Sequence, residues 1–116
     1  MQNQRIIEDK YTGEFDEKGR KNGYGEIVYK NGDVYEGEWK DDRKHGYGKM
    51  KYSNGNFYEG DWKNDRKHGF GMMNYSDGNT YEGDWVEDMR HRIGKLYDKE
   101  DRILFQWGWE NDAPKP

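Results

Sequence analysis

Apolar and polar residues alternate with a period of two along most of the chain. In Tyr35-Glu36-Gly37-Glu38-Trp39 the alternation puts Tyr35, Gly37 and Trp39 on one face and two carboxylates on the other. Gly48-Lys49-Met50-Lys51-Tyr52 alternates likewise, with Gly48, Met50 and Tyr52 on one face and Lys49 and Lys51 on the opposite one. Such strands pair antiparallel if Glu36 and Glu38 meet Lys49 and Lys51, at about 0.2–1 kcal/mol per contact. These exposed pairs set register rather than stability.

Turn signals punctuate the strands. Asn31-Gly32, Asn54-Gly55 and Asp77-Gly78 are hairpin dipeptides. A two-residue turn on Asn54-Gly55 would set Lys51 opposite Tyr58 and mix the two faces. A three-residue loop, or a bulge with Gly55 at positive φ, sets Tyr52 opposite Tyr58 and keeps the faces clean, so the odd loop is expected. The polar run Lys40–His45 reads as a six-residue loop closing the other end.

The pattern repeats. Tyr58-Glu59-Gly60-Asp61-Trp62 leads to Gly69-Phe70-Gly71, as Tyr35–Trp39 leads to Gly46-Tyr47-Gly48, and Tyr81-Glu82-Gly83-Asp84-Trp85 begins a third copy. Trp39, Trp62 and Trp85 are spaced by 23 residues. Tyr11-Thr12-Gly13-Glu14-Phe15 with Gly23-Tyr24-Gly25 is a weaker first copy. The third loses a glycine at Arg92-Ile93-Gly94, and Ile103–Trp109 reads as a last strand, with Trp107 where Gly83 sits one copy earlier. A fixed short period marks a repeat architecture. Each copy adds two strands and about 10 Å, so four copies span about 40 Å. The expected fold is all-β: an elongated single-layer antiparallel meander of stacked hairpins. Residues 1–10 are an N-terminal tail in which Ile6 and Ile7 could add an edge strand. Residues 11–109 form the array of about four units, the last degenerate. Residues 110–116 are a C-terminal tail in which Pro114 and Pro116 stop pairing. Gly37, Gly60 and Gly83 leave slots where neighbouring rings lie, which makes Gly60→Val destabilising.

Composition changes the picture in two ways. Only 30% of residues are hydrophobic and 38% are charged, but 16% are aromatic, so the core is built from Tyr and Trp. Formal net charge is −4, which opposes nucleic-acid binding and gives no general pull toward an anionic membrane. There is no cysteine, hence no disulfide or thiolate metal site. Met1–Lys10 lacks an apolar h-region and no run reaches the ~18 residues of a membrane span. A soluble, cytoplasmic protein is expected.

The unit Tyr-Glu-Gly-Glu/Asp-Trp, a polar run, then His-Gly-Tyr/Phe-Gly closely resembles the MORN repeat (membrane occupation and recognition nexus). The likeness covers residues 11–85, with a degenerate copy to 109. It rests on Tyr35, Gly37, Trp39, Gly46, Tyr47 and Gly48, on Tyr58, Gly60, Trp62, Gly69, Phe70 and Gly71, and on Tyr81, Gly83 and Trp85. The resemblance implies stacked hairpins, a groove, and no catalysis. It implies service as a scaffold or adaptor in cytoskeletal or ciliary assemblies such as radial spokes, beside membranes, or on segments of motor proteins. Choline-binding hairpins share the period but lack the Tyr-Glu-Gly-Glu-Trp core.

Candidate chemistry is sparse. His45, His68 and His91 recur at nearly one repeat position and should stack about 10 Å apart, too far for one metal. Ser53 and Ser76 are the only serines and lie in turns, with no triad. Gly-x-Gly here opens a strand, not a nucleotide-binding helix. No enzyme, cofactor or metal is expected. The acids Glu36, Glu38, Glu59, Asp61, Glu82 and Asp84 read as a soluble outer face, without the 6–8 convergent oxygens that calcium needs. Arg20-Lys21, Arg43-Lys44, Arg66-Lys67 and Arg90 form a basic ladder, and Arg43, Lys44, Arg66 and Lys67 are the candidates for weak anionic-lipid or phosphoinositide contact. The candidate groove for a protein partner is Tyr35, Trp39, Tyr47, Tyr58, Trp62, Phe70, Tyr81, Trp85, Trp107 and Trp109. Trp107 and Trp109 are either a hydrophobic cap or a contact surface, and the last strand could pair end-to-end with a second copy.

Overall fold

The computed structural model describes residues 8–114, with Trp107 described by its backbone alone. Ten strands pair antiparallel in chain order within one open sheet. They are β1 (Lys10–Phe15), β2 (Lys21–Val28), β3 (Val34–Lys40), β4 (Arg43–Lys51), β5 (Phe57–Lys63), β6 (Arg66–Asn74), β7 (Thr80–Val86), β8 (Met89–Tyr97), β9 (Ile103–Glu110) and β10 (Ala113–Pro114). This is the expected all-β meander. Its extents are 47 × 39 × 18 Å, in keeping with ten strands at about 4.8 Å each. Among the described residues no helix is long and apolar enough to cross a membrane. Ile6 and Ile7 lie outside the described residues.

The Asn-Gly ends are odd loops. Tyr52 N–H donates to the Asn56 carbonyl at 2.9 Å, Gly55 N–H to the Tyr52 carbonyl at 3.0 Å, and Gly55 has φ 97°. Three residues, Ser53-Asn54-Gly55, therefore separate the paired positions, and the faces stay clean. The partner differs from expectation. The loop closes on Tyr52 and Asn56, so Met50, not Tyr52, stands opposite Tyr58.

The other ends are not six-residue loops. Asp41-Asp42, Asn64-Asp65, Glu87-Asp88 and Asn111-Asp112 all have positive φ, from 47° to 70°, as two-residue type I′ turns require. The strands run up to these turns, which leaves Arg43, Lys44 and His45 inside β4. The surplus length is taken up by a bulge, in which His45-Gly46-Tyr47 oppose Glu38 alone between the Trp39–Lys44 and Gly37–Gly48 pairs. A surplus of two residues preserves parity. It also means that only one of the expected pairs across β3 and β4 forms: Glu36 faces Lys49, whereas Lys51 faces Val34 and Glu38 faces the bulge.

Pro114 is itself paired, and Pro116 lies outside the described residues. Pro114 stands opposite Trp109, in the register position that Lys44 holds opposite Trp39. The Lys44 N–H points away from its partner strand, toward Asp65, so a proline at that position loses no bond to β9.

One face of the sheet holds the core. Tyr35, Tyr58 and Tyr81 are fully buried (0% exposed), and Trp39, Trp62, Trp85 and Trp109 nearly so. The glycines explain how a single layer achieves this. A Cβ built on Gly48 would collide with the phenol end of Tyr35, and one on Gly71 with that of Tyr58. The ring thus seats on the second glycine of Gly-Tyr/Phe-Gly, while a Cβ on Gly37 or Gly60 would strike the facing Gly48 or Gly71 Cα. Both polar handles are satisfied: Tyr35 Oη donates to the Glu38 carbonyl at 2.8 Å, and Trp62 Nε1 to the Gly48 carbonyl at 3.1 Å. Each tyrosine then meets two indoles edge-to-face, Tyr35 at 5.1 Å from Trp39 and 5.3 Å from Trp62. The series runs unbroken from Tyr11 through Trp39, Tyr35, Trp62, Tyr58, Trp85, Tyr81 and Trp109 to Phe105. At about 0.5–1.5 kcal/mol per contact beyond area burial, this ladder outweighs the surface charge pairs.

Candidate interaction face

The buried face is roofed by its cations. Lys44 Nζ lies 5.7 Å from the Tyr35 ring and 5.5 Å from that of Trp62, and donates to Tyr29 Oη at 3.1 Å. Lys67 repeats this over Tyr58 and Trp85, and the Arg90 guanidinium sits 4.4 Å from the Trp109 ring. Lys21 opens the series over Tyr11 and Trp39. Of the four lipid candidates, Lys44 and Lys67 are therefore buried at 8% and 9% exposure. The register puts them on the aromatic face, where the ammonium gains ring faces and a phenol oxygen. Arg43 and Arg66 are exposed and lie on the other face. The basic ladder is thus two ladders.

An aspartate in the turn of the following hairpin holds each roof cation. Asp65 Oδ1 accepts Lys44 N–H at 2.8 Å and stands 3.5 Å from Lys44 Nζ, while Asp65 N–H donates to the Lys44 carbonyl at 3.1 Å. Asp42 does this for Lys21, Asp88 for Lys67 and Asp112 for Arg90. The Asn-Gly ends carry a matching clamp, Ser53 N–H to the Asp33 carboxylate at 2.7 Å and Ser76 N–H to Asn56 Oδ1 at 2.8 Å. Both serines thus sit in repeat-to-repeat joints.

The expected groove separates in the same way. Tyr35, Trp39, Tyr58, Trp62, Tyr81, Trp85 and Trp109 are core and offer no contact surface, because each ring is covered by its neighbours and by a cation. Trp109 acts as a cap, and the side chain of Trp107 lies outside the described residues. Tyr47 and Phe70 belong to the opposite, open face, at 45% and 57% exposure. There they line up with Tyr24 and Ile93, also about half exposed, at the same 23-residue spacing. Tyr24, Tyr47 and Phe70 are each the middle residue of a Gly-x-Gly, and Ile93 holds the same place in Arg92-Ile93-Gly94, so each directly precedes the glycine that seats a buried ring. That parity was available in the sequence: Tyr47 must share a face with Lys49 if Gly48 shares one with Met50.

Carboxylates frame this row. Glu38 accepts the Tyr47 N–H at 2.7 Å, Asp61 the Phe70 N–H at 3.2 Å and Glu14 the Tyr24 N–H at 2.6 Å. Lys49 stands between Glu36 and Glu59 in the register, and Tyr47 Oη donates to the Glu59 carboxylate, which pushes the phenol up to about 12. Two shallow depressions flank the row, one between Phe70, Glu82, Asp84, Ile93 and Lys95, the other between Glu26, Val34, Glu36, Lys49, Lys51 and Phe57. Nearer the I′ turns a cleft of about 460 Å³ is lined by Arg43, Lys63, Asn64, Arg66, His68 and Glu87. His45, His68 and His91 are half-buried on successive hairpins. Among the described residues no three His, Asp or Glu side chains converge as a metal site would need. What the open face offers is an apolar stripe with charged flanks, suited to binding rather than to proton or group transfer.

The chain matches no curated protein. The family model described as MORN repeat matches residues 11–34, 35–57, 58–80 and 81–100. The matched boundaries fall on the buried tyrosines Tyr35, Tyr58 and Tyr81, so each repeat is one ring-bearing strand with the strand that seats it. MORN repeats are non-catalytic modules that mediate interactions with proteins or membrane lipids. The chain belongs to the MORN repeat family, as an array of four repeats over residues 11–100.

Proposed function

We propose that the chain is a non-enzymatic interaction scaffold, a small component of a larger assembly, that docks a segment of a partner protein across its open face. The carrying observation is the row Tyr24, Tyr47, Phe70 and Ile93: large apolar side chains left half exposed at a constant spacing, while Tyr35, Tyr58, Tyr81, Trp39, Trp62, Trp85 and Trp109 on the other face are covered. Burying such a row on association contributes about 25 cal/mol per Å², and none of it is already spent on the fold. Successive members lie two strands apart, about 10 Å, a spacing that a helix laid across the strands meets about every two turns. A cytoplasmic cytoskeletal or ciliary assembly is the setting that the family implies.

Cross-linking mass spectrometry on the chain in native extract tests this. Cross-links to a stoichiometric partner should concentrate at Lys49, Lys51 and Lys95 beside the row. They should vanish in Tyr47→Ser/Phe70→Ser, whose circular dichroism should match wild type. Cross-links that survive this double variant would defeat the reading.

A further inference from the structure

Arg20, Arg43 and Arg66 recur at one position of the 23-residue repeat, and two of the three reach an acid of the following I′ turn. Arg20 Nη2 lies 3.5 Å from Asp41 Oδ1, and Arg66 Nη1 lies 3.6 Å from Glu87 Oε2; in both cases the acid is the first residue of the next I′ turn. The corresponding residue for Arg43 is Asn64, which has the same backbone conformation, φ 49° against 50° for Asp41, but no charge. Arg43 has no ion-pair partner among the described residues. The cleft beside it gathers Lys63, Arg66 and His68, with Glu87 as its one acid. With His68 neutral the lining carries two net positive charges.

We propose that this cleft binds the phosphate of a phosphorylated side chain on the docked partner segment. A phosphomonoester carries nearly two negative charges at neutral pH, so it balances the lining. A carboxylate would leave one positive charge over. Two guanidiniums supply forked N–H donors of the geometry phosphate takes, and Asn64 and His68 add neutral donors. The place fits a docked segment. His68 lies two residues ahead of Phe70 on β6, so the cleft adjoins the apolar row. A bilayer fits less well, because the same edge exposes Asp41, Asp42, Asp65, Glu87, Asp88 and Asp112, and an anionic surface would meet all of these at once. The proposal rests on the docking reading above and gives the segment a chemical mark.

The test needs no identified partner. The ¹⁵N-labelled chain is titrated with N-acetyl-O-phosphoserine N-methylamide, with the serine analogue as control, and followed by amide chemical shifts. Vesicles of phosphatidylcholine with and without phosphatidylinositol bisphosphate form a second arm. Saturable shifts centred on Arg43, Asn64, Arg66 and His68 are expected with the phosphorylated probe alone. Asn64→Asp should weaken binding about tenfold by restoring the missing acid. It should leave the melting temperature unchanged, because Asp41 already occupies this turn position. Glu87→Gln should tighten binding.

Non-saturating shifts, or binding indifferent to Asn64→Asp, overturn the site. Vesicle binding that outlasts phosphoserine binding and is lost in Asn64→Asp overturns it in favour of a lipid headgroup. Failure of the probe alongside intact cross-linking through Phe70 removes the phosphate site and leaves the docking reading standing. Probe binding in a chain with no open-face cross-links removes both the docked segment and the proposal.

Discussion

Asp65 accepts the Lys44 main-chain N–H at 2.8 Å and stands 3.5 Å from the Lys44 ammonium, so one carboxylate grips both ends of a residue in the preceding repeat. Lys44 in turn covers Tyr35 and Trp62, which belong to different repeats. Turn, cation and ring are therefore one mechanical unit across each joint. Asp65→Asn keeps an acceptor and a side chain tolerant of positive φ but removes the charge, and should cost about 1 kcal/mol; Asp65→Ala loses the acceptor and strains the turn, and should cost about 2–3 kcal/mol. Lys44→Met preserves the packed stem. A double-mutant cycle of Lys44→Met with Asp65→Asn, read by urea unfolding, should give a coupling of about 0.5–1.5 kcal/mol. Additive costs would mean that the ammonium contributes only its stem.

The ring seat makes the two glycines of each rung unequal in mechanism and alike in cost. Gly71→Ala drives a methyl into the Tyr58 ring, and Gly60→Ala drives one into the Gly71 backbone. Neither obstacle is the loose end of a flexible side chain. Each should lower stability by about 3 kcal/mol, and Gly60→Val by more. Thermal melting checks this. A variant within a degree or two of wild type would refute the seat.

Burial raises the phenol pKa of Tyr35, Tyr58 and Tyr81, and pushes that of Tyr52 up to about 12. Unfolded tyrosine loses its proton near pH 10. A group whose folded pKa is raised contributes stability that is whole below the unfolded value and fades as pH climbs toward the folded one. Stability should therefore hold up to about pH 10 and fall steeply above it. Tyrosinate absorbance followed together with far-ultraviolet circular dichroism should show the buried phenols ionising in one step, coincident with loss of the sheet. Ionisation of all tyrosines ahead of unfolding would contradict the burial described.

The strand order, the odd loops and the aromatic core face were legible because a period of two and a 23-residue repeat constrain them directly. The clamp was not, although its signal was present: Lys21, Lys44 and Lys67, and Asp42, Asp65 and Asp88, each recur every 23 residues. Reading Lys40–His45 as a loop hid it, because a loop residue has no face. The same misreading made Lys44 look like a partner of Arg43, when the I′ turn puts one in the core and the other in the open. The mixed groove has a similar origin. Tyr35 and Tyr47 are the same residue type, and only the parity of each about its glycines tells core from surface.

That parity predicts opposite outcomes for two aromatic substitutions. Trp62→Ala removes a buried indole, its bond to the Gly48 carbonyl and two ring contacts, and should cost about 3–5 kcal/mol. Phe70→Ser removes a half-exposed ring that only the open face sees, and should stay within about 0.5 kcal/mol of wild type while abolishing partner cross-links. Denaturant midpoints for both, measured beside the cross-linking, separate the two roles. Comparable losses of stability would return Phe70 to the core.

Arg92 shows where the last repeat departs from the others. Its φ is 60°, at the bulge position that Gly23, Gly46 and Gly69 occupy with φ between 67° and 96°. A left-handed arginine costs about 1 kcal/mol against glycine, more than the entropy that glycine would bring to the unfolded chain. Its distant contact with Asp84, 3.9 Å on a 70% exposed side chain, returns little. Arg92→Gly should therefore stabilise the array by up to about 0.5 kcal/mol. Amide hydrogen exchange should show where: protection should rise in β8 and β9 and stay level in β3 and β4, because in a stacked array a local gain passes mainly to the nearest neighbours. A destabilised variant would mean that the Arg92 side chain contributes more to the last hairpin than its backbone strain removes.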